Sequence, residues 1–306
     1  MRVVRGFSSP VAVPTALTIG NFDGVHRGHV VLLERLVRAA KDMRLVPTVL
    51  TFEPHPREFF APASAPARLT ILREKLELIA ACGVEMTMVC AFNARFAALS
   101  AHAFIEEVLL QGLGMRHLII GDDFRFGQGR QGDFALLQDV GHQSGFTVEA
   151  MAAVMVDGVR VSSSVAREAL AVGDMERAQA LLGRPYMMDG RVVHGDKLGR
   201  RLGFNTANIH IRHFPLPMTG VFAVEVDGLE QARMPGVANL GIRPTFGGTR
   251  PLLEVHLFEF NQSIYGTHLS VHFVHKLRDE HRFADSDALK MQIARDVQVA
   301  RNFFRL

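Results

Sequence analysis

The texture of the chain changes once, at "LLGRPY" (residues 181–186), and that break constrains the fold more than any other feature. Before it, short β-branched runs at "ALTIG", "LVPTVLTF", "MTMVCAF", "HLIIG" and "TVEAMAAVMV" alternate with helical patterns, as in a parallel sheet covered by helices. "HRGHVVLLERLVRAAKDM" places Val30, Leu33, Val37 and Ala40 on one helix face. "TILREKLELIAACG" does the same with Leu72, Leu76 and Ile79 before a glycine stop. Residues 163–183 predict two short helices, broken at "VGD" and ended by Gly183 and Pro185. After the break, "YMMDGRVVHGD", "GVFAVEVDG", "PLLEVHLFEF" and "HLSVHFVHKLR" are strand-like and glycine-punctuated, which predicts an antiparallel barrel. In the closing "DSDALKMQIARDVQVARNFF", Asp285 or Ser286 can cap a helix whose stripe is Leu289, Ile293, Ala300 and Phe304. The expected organisation is an α/β domain over residues 1–183 and a β-barrel domain over 184–306, in line with roughly 150 residues per domain.

Composition narrows the function classes. Apolar residues make up 48% and charged residues 21%, the balance of a globular protein rather than a disordered one. No stretch has the apolar length of a signal peptide or a spanning helix, so the expectation is a cytoplasmic protein without a membrane partner. Cys82 and Cys90 sit in apolar runs and read as small core residues in a reducing compartment. The net charge of +3 suits anionic ligands, but the bases are scattered and no nucleic-acid partner is expected. A single-strand groove on the barrel would need stacking aromatics, and the chain has no Trp and only Tyr186 and Tyr265 besides its phenylalanines.

The stretch "GNFDGVHRGH" (residues 20–29) follows the first buried-strand run, where an open parallel sheet places its ligand crevice. Glycines admit a ligand to the backbone, and a helix starting there offers free N–H groups to a phosphate. His26 and His29 add directed donors that can stabilise charge developing on phosphorus. As a bare pair they read equally as packing or solvated residues, and a zinc site would want a third ligand. A second string, "GQGRQG" (127–132), satisfies the dinucleotide fingerprint, with Glu149 where the ribose acid would lie. Against that reading, "DDFRF" separates the glycines from their strand, and the unit comes late in the chain. No G-x-x-x-x-G-K-[ST] phosphate loop occurs.

The whole decapeptide resembles the H-x-G-H signature of nucleotidylyltransferases, in the form found in bacterial bifunctional riboflavin kinase/FMN adenylyltransferases. "TFEPHP" (51–56), "GDDFRFGQGRQG" (121–132), "VSSSVAREAL" (161–170), "LLGRPY", "GRVVHGDKLGRRLGFNTANI" (190–209), "GVANLGIRPTF", "LEVHLFEF" and "VHKLRDEHRF" resemble that family's blocks, in its order. The resemblance spans essentially the full chain. It implies a nucleotidylyltransferase-type, Rossmann-like parallel α/β domain that makes FAD from FMN and ATP. The barrel with its C-terminal helix would be the riboflavin kinase.

Residue by residue, the resemblance implies that His26 and His29 assist AMP transfer, while Gly20, Phe22, Gly24, Ser163, Ser164 and Arg167 bind that ATP. The serines also read as a helix N-cap, and Ser164 stands where threonine is commoner. Asp123 and Arg125 would shape the flavin-nucleotide pocket. In the kinase half, Gly195, Lys197 and Gly199 would bind ATP, and Thr206 and Asn208 would hold it with Mg2+, a cation that prefers oxygen ligands. Asn205 replaces the family's proline, which removes a fixed φ and leaves the loop less preorganised. By its alternating pattern alone Glu254 is a strand residue like any other; by resemblance it is the base that accepts the riboflavin 5'-hydroxyl proton. Arg278 and Phe283 would help close the flavin site.

Overall fold

A computed structural model of the chain describes residues 1–6, 11–195, 203–245 and 248–306, without the side chains of 243–245 and 248–250. The chain divides into two compact units, Met1–Pro66 with Lys75–Val161 and Ala67–Glu74 with Ser162–Leu306. Among the described residues the α-helices are α1 (Arg27–Met43), α2 (Pro56–Phe60), α3 (Leu72–Ala81), α4 (Ala94–Ala97), α5 (Ala101–Ala103, continued by a π-helical stretch Phe104–Gly112), α6 (Phe134–Ser144), α7 (Ser163–Val172), α8 (Met175–Leu182) and α9 (Ser286–Phe304).

In the first unit, six parallel strands form one sheet in the order β1-β4-β3-β2-β5-β6. They are β1 (Arg2–Arg5), β2 (Thr15–Ile19), β3 (Val46–Glu53), β4 (Met86–Ala91), β5 (Met115–Gly121) and β6 (Thr147–Met151). β2 is buried along its whole length because both faces of the sheet are covered. Leu17 and Ile19 pack with Leu50, Met88, Leu118 and the Phe104–Leu109 helix on one side. Ala16, Val49 and Ile119 pack with α1 and Ile79 on the other. The buried face of α1 is Leu32, Leu33, Leu36, Ala39 and Ala40; Val30 and Val37, expected on that face, are partly buried at its margin. Cys90 is fully buried, and burial pushes its thiol up to about 12.

One strand expectation needs correction, and one strand was missed. "TVEAMAAVMV" is not one strand: β6 ends at Met151, and β7 (Met155–Val156) turns back antiparallel on β8 (Val159–Arg160). Asp157 and Gly158 between them both have positive φ (49° and 75°), the Asp-Gly hairpin geometry that outcompetes continuation of the strand. The edge strand β1 was not foreseen, since "RVVR" is short and charge-flanked, as edge strands tend to be.

In the second unit a closed barrel runs β10-β13-β12-β11-β14-β9, every neighbouring pair antiparallel. The strands are β9 (Tyr186–Val193), β10 (Ala207–His210), β11 (Gly220–Asp227), β12 (Met234–Thr245), β13 (Gly248–Leu257) and β14 (His268–Arg278). Asp285 caps α9 by accepting from the Ala288 N–H at 2.8 Å, and Ala300 packs that helix on Val221, Ala223 and Val237. The cap of α7 is Ser162, which accepts from Val165 N–H at 3.3 Å; Ser163 and Ser164, the expected caps, form its first turn instead.

The segment Ala67–Glu74 carries a side chain that amphipathic spacing would place in water. Glu74 is fully buried and accepts from the N–H groups of Ile71 (2.9 Å) and Asp189 (2.8 Å), with His213 Nε2 at 3.0 Å. A buried carboxylate is tolerated only when its oxygens are satisfied in this way, and removing it strands its donors. Glu74→Ala is therefore expected to destabilise the second unit by about 3 kcal/mol or more. Glu74→Gln, which keeps one acceptor, should cost less. Urea unfolding followed by a barrel probe such as Tyr186 measures both, and an unshifted midpoint in Glu74→Ala would contradict the role given to this carboxylate.

Candidate active sites

Strand order reverses beside β2, whose neighbours are β3 on one side and β5 on the other. In open α/β sheets the ligand crevice lies at the carboxyl ends of the strands at such a point. β2 delivers "GNFDGVHRGH" there, and β5 delivers "GDDFRFGQGRQG". Gly20 follows β2 directly, Phe22 is fully buried with φ 49°, and Gly24 (φ 81°) and Val25 (φ 38°) complete a strained turn into α1. Strain of this kind persists only where the surroundings enforce it, and it clusters at functional sites.

His26 is the N-cap of α1. Its Nδ1 accepts the His29 N–H at 3.3 Å, so in the neutral ring Nε2 carries the proton. The two imidazoles stack at 3.6 Å with 15° between planes, and Phe22 lies against His29 at 4.9 Å. A Cβ at Gly28 would come within 3.2 Å of the His26 ring, so the glycine inside H-x-G-H makes room for the stack. Among the described residues, no group of three or more His, Cys, Asp or Glu side chains is placed to hold a metal.

A cavity of about 930 Å³ opens at the same sheet end. Gly20 and Asn21 line it from just after β2, Phe52 from β3 itself, His55, Arg57 and Phe60 from the chain after β3, Phe92 and Phe96 from beyond β4, and Asp123 to Gly127 from beyond β5. Phe52 meets Phe92 edge-on at 5.6 Å, and Phe60 meets Phe92 likewise at 5.5 Å. An apolar aromatic wall with Arg57, Arg125 and Arg130 on its border suits a flat aromatic ligand with an anionic tail. Asp123 pairs with Arg160 at 2.9 Å and Arg125 with Asp133 at 2.8 Å. The Leu136 N–H, reinforced by Arg125, holds the Asp133 carboxyl below the usual carboxylate range. His26 and His29 do not line this cavity. The phenylalanines come from β3, α2 and the segments beyond β4 and β5, and no single motif in the sequence announces them.

The dinucleotide reading of "GQGRQG" fails on geometry. Phe126 and Gly132 exchange backbone hydrogen bonds at 3.1 and 2.9 Å, closing the glycines into a loop, and α6 starts afterwards behind its own cap, Asp133. Glu149 is engaged by Arg35, whose Nε and Nη2 each donate to a carboxylate oxygen at 2.8 Å.

Ser163, Ser164 and Arg167 belong to α7 of the second unit, where Arg167 Nε donates to the Ala67 carbonyl at 2.6 Å. Lys197 and Gly199 lie outside the described residues.

The barrel register assembles the other site. Glu254 on β13 stands opposite Asn208 on β10 and Asn239 on β12. A cavity of about 310 Å³ is lined by Thr206, Asn239, Glu254, His256, Arg278, Glu280 and Phe283. A neighbouring cavity of about 270 Å³ is lined by Gly195, Asn205, Thr206, Asn208 and residues 260–265. Thr206 lines both, so the structure brings together Thr206, Glu254, Arg278 and Phe283, and sets Gly195 and Asn208 beside them. A Cβ at Gly195 would overlap the Asn208 amide, so only glycine lets this side chain settle.

Arg278 is gripped by Asp296 of α9, with Nε to Oδ1 at 2.9 Å and Nη2 to Oδ2 at 2.7 Å, and its guanidinium lies 5.7 Å from the centre of the Phe283 ring. Burial pushes the Glu280 carboxyl up, opposed by a hydrogen bond from Asn239 and by the charge of Arg278. Asn239, Glu280 and Asp296 were not singled out from the sequence. Asn239 could have been, because in the alternating pattern of "GVANLGI" it is a lone amide among apolar residues. A carboxylate beside hydroxyl and amide oxygens can take a proton next to a cation–phosphate site.

Two family models match the chain: FAD synthetase over residues 9–165 and riboflavin kinase over residues 182–304. The bifunctional riboflavin kinase/FMN adenylyltransferase of Escherichia coli (strain K12) is 49% identical over 309 residues, covering 100% of this chain and 99% of that protein. The Pseudomonas fluorescens protein of the same name is 48% identical, covering 98% and 97%. A Streptococcus pneumoniae crystal structure described as a macrolide-efflux protein superposes with a TM-score of 0.84 at 28% identity over 99% of each chain. Among the described residues of the present chain, no helix is long and apolar enough to cross a membrane. On full-length identity and on both family matches, the chain belongs to the bifunctional riboflavin kinase/FMN adenylyltransferase family.

Proposed function

We propose a residue-level division of labour for the two reactions of this enzyme. The chain phosphorylates riboflavin with ATP to give FMN, and transfers AMP from ATP to FMN to give FAD and pyrophosphate. In our reading residues 1–183 carry the transfer and 184–306 the phosphorylation. Its substrates are the small molecules riboflavin, FMN and ATP, and the use of ATP in both steps supports a cytoplasmic setting.

The observation that carries the kinase assignment is the row Asn208, Glu254, Asn239 across three strands, on walls of two cavities that share Thr206. Riboflavin occupies the Glu254 cavity, with Phe283 and Arg278 at the flavin end. Its 5'-oxygen attacks the γ-phosphorus of ATP, the hydroxyl proton passes to the Glu254 carboxylate, and ADP leaves. Nearly all the catalysis in such a transfer is positioning and charge stabilisation. The oxygen donors of Thr206 and Asn208 suit Mg2+, which when bound would offset phosphate charge. Gly195, and by resemblance Lys197 and Gly199, complete the nucleotide binding.

In the α/β half, the phenylalanine-walled cavity takes the isoalloxazine of FMN, with Asp123 and Arg125 at its border. A phosphate oxygen of FMN attacks the α-phosphorus of ATP and pyrophosphate departs. The Nε2–H of His26 and the His29 ring stabilise the negative charge that builds on the phosphoryl oxygens, and Gly20, Phe22 and Gly24 shape the turn that presents them. Ser163, Ser164 and Arg167 remain candidates for ATP phosphates by the chemistry of hydroxyls and guanidinium.

Glu254→Gln keeps shape and hydrogen bonding but removes the base, so FMN formation is expected to fall about 10²-fold or more. Supplied FMN should still become FAD. Unchanged riboflavin phosphorylation would reduce Glu254 to a strand residue. Conversely, His26→Ala or His29→Ala should lower FAD formation by roughly 10² to 10³ while FMN accumulates, with the loss in kcat more than in the KM for ATP. Stoichiometric zinc in the purified protein that vanishes with either substitution would overturn the transition-state role.

A further inference from the structure

Two hydrogen bonds converge on one residue of the segment leading into β10. Asn205 Nδ2 donates to Asn261 Oδ1 at 2.9 Å, and the Asn205 carbonyl oxygen lies 2.8 Å from His256 Nδ1. A carbonyl only accepts, so His256 carries a proton on Nδ1. His256 is itself held: its ring meets Phe204 edge-on at 5.6 Å and Phe258 at 6.0 Å. It follows Glu254 by two residues on β13 and so shares its face, and both line the cavity of about 310 Å³. Asn261 lines the neighbouring nucleotide cavity. The next residue after Asn205 is Thr206, which lines both.

We propose that Asn205 is a positioning residue of the kinase reaction. Its side chain and carbonyl bracket the Thr206–Asn208 segment between Asn261 and His256, so the nucleotide meets a loop already set. Without proline at this position the backbone has one more soft torsion to order. A loop left to order on binding charges that entropy against nucleotide affinity, and the two hydrogen bonds remove the charge in advance. This inference rests on the kinase reading of the barrel given above.

The test uses the full chain and measures riboflavin phosphorylation against magnesium-ATP concentration for Asn205→Ala, Asn261→Ala and the double variant. FAD formation from supplied FMN serves as the folding control. Asn205→Ala is expected to raise the KM for magnesium-ATP roughly three- to tenfold, the range of one or two modest hydrogen bonds, with kcat changed far less. The double variant should be no worse than the worse single, because the two side chains act as one contact. Asn205→Pro loses the side-chain bond but regains a fixed φ, and its KM should stay near that of the parent. An unchanged KM in Asn205→Ala, multiplying effects in the double variant, or an Asn205→Pro as impaired as Asn205→Ala would each overturn the proposal. Failure of the kinase reading itself would show differently, as undiminished phosphorylation by Glu254→Gln.

Discussion

Antiparallel pairing of β13 with β10 on one side and β12 on the other puts Asn208, Glu254 and Asn239 in a single row, and the proposed kinase site depends on that row. Side chains alternate across a strand, so a slip of one residue would turn Glu254 to the opposite face and bring Val255 into the cavity. Closure of the barrel guards the register, because every strand has two partners and no free edge along which to slide. The same closure carries Arg278 at the end of β14 to α9, where Asp296 fixes its guanidinium over the Phe283 ring. Strand pairing sets the Glu254 carboxylate, and a salt bridge holds Arg278 on the wall of the same cavity.

The α/β half solves its problem by different means. Its candidate site lies where a parallel sheet changes direction, and most of its side chains arrive on segments that follow the strand ends. Precision there comes from packing: Phe22 is buried under the turn, the His26 ring caps α1, and Gly28 leaves space for two imidazoles to stack. The cavity of about 930 Å³ is likewise built by edge-to-face phenylalanines, from β3, α2 and the segment after β4.

Much of the architecture is legible in the sequence because periodicity is a local signal. The alternation of strands and helices before residue 183 and the uninterrupted strands after it translate directly into one parallel sheet and one closed barrel. His26, His29 and Glu254 were reached through motifs; the residues that hold the sites together were not. Glu74 has the spacing of a solvated helix residue, yet its carboxylate is buried on partners at Asp189 and His213, more than a hundred residues away. Asp296 lies on a helix face whose neighbour, Arg278, cannot be known before the barrel exists. Asn205 looked like a loss of order by comparison with proline, and only the fold shows the two partners that restore it. Local hydrogen-bond competition explains the smaller misses, as with Ser162 taking the cap expected of Ser163 or Ser164.

The central claim is that one chain performs two consecutive transfers that break different bonds of ATP, one at the γ-phosphorus and one at the α-phosphorus. The most direct measurement is a time course of the purified protein with riboflavin and magnesium-ATP, quantifying flavins by chromatography alongside ADP and pyrophosphate. The account predicts that FMN appears before FAD, with ADP equal to the sum of FMN and FAD and pyrophosphate equal to FAD alone. Pyrophosphate released without FAD, or FAD formed from supplied FMN by a protein that yields no FMN or ADP from riboflavin, would contradict it.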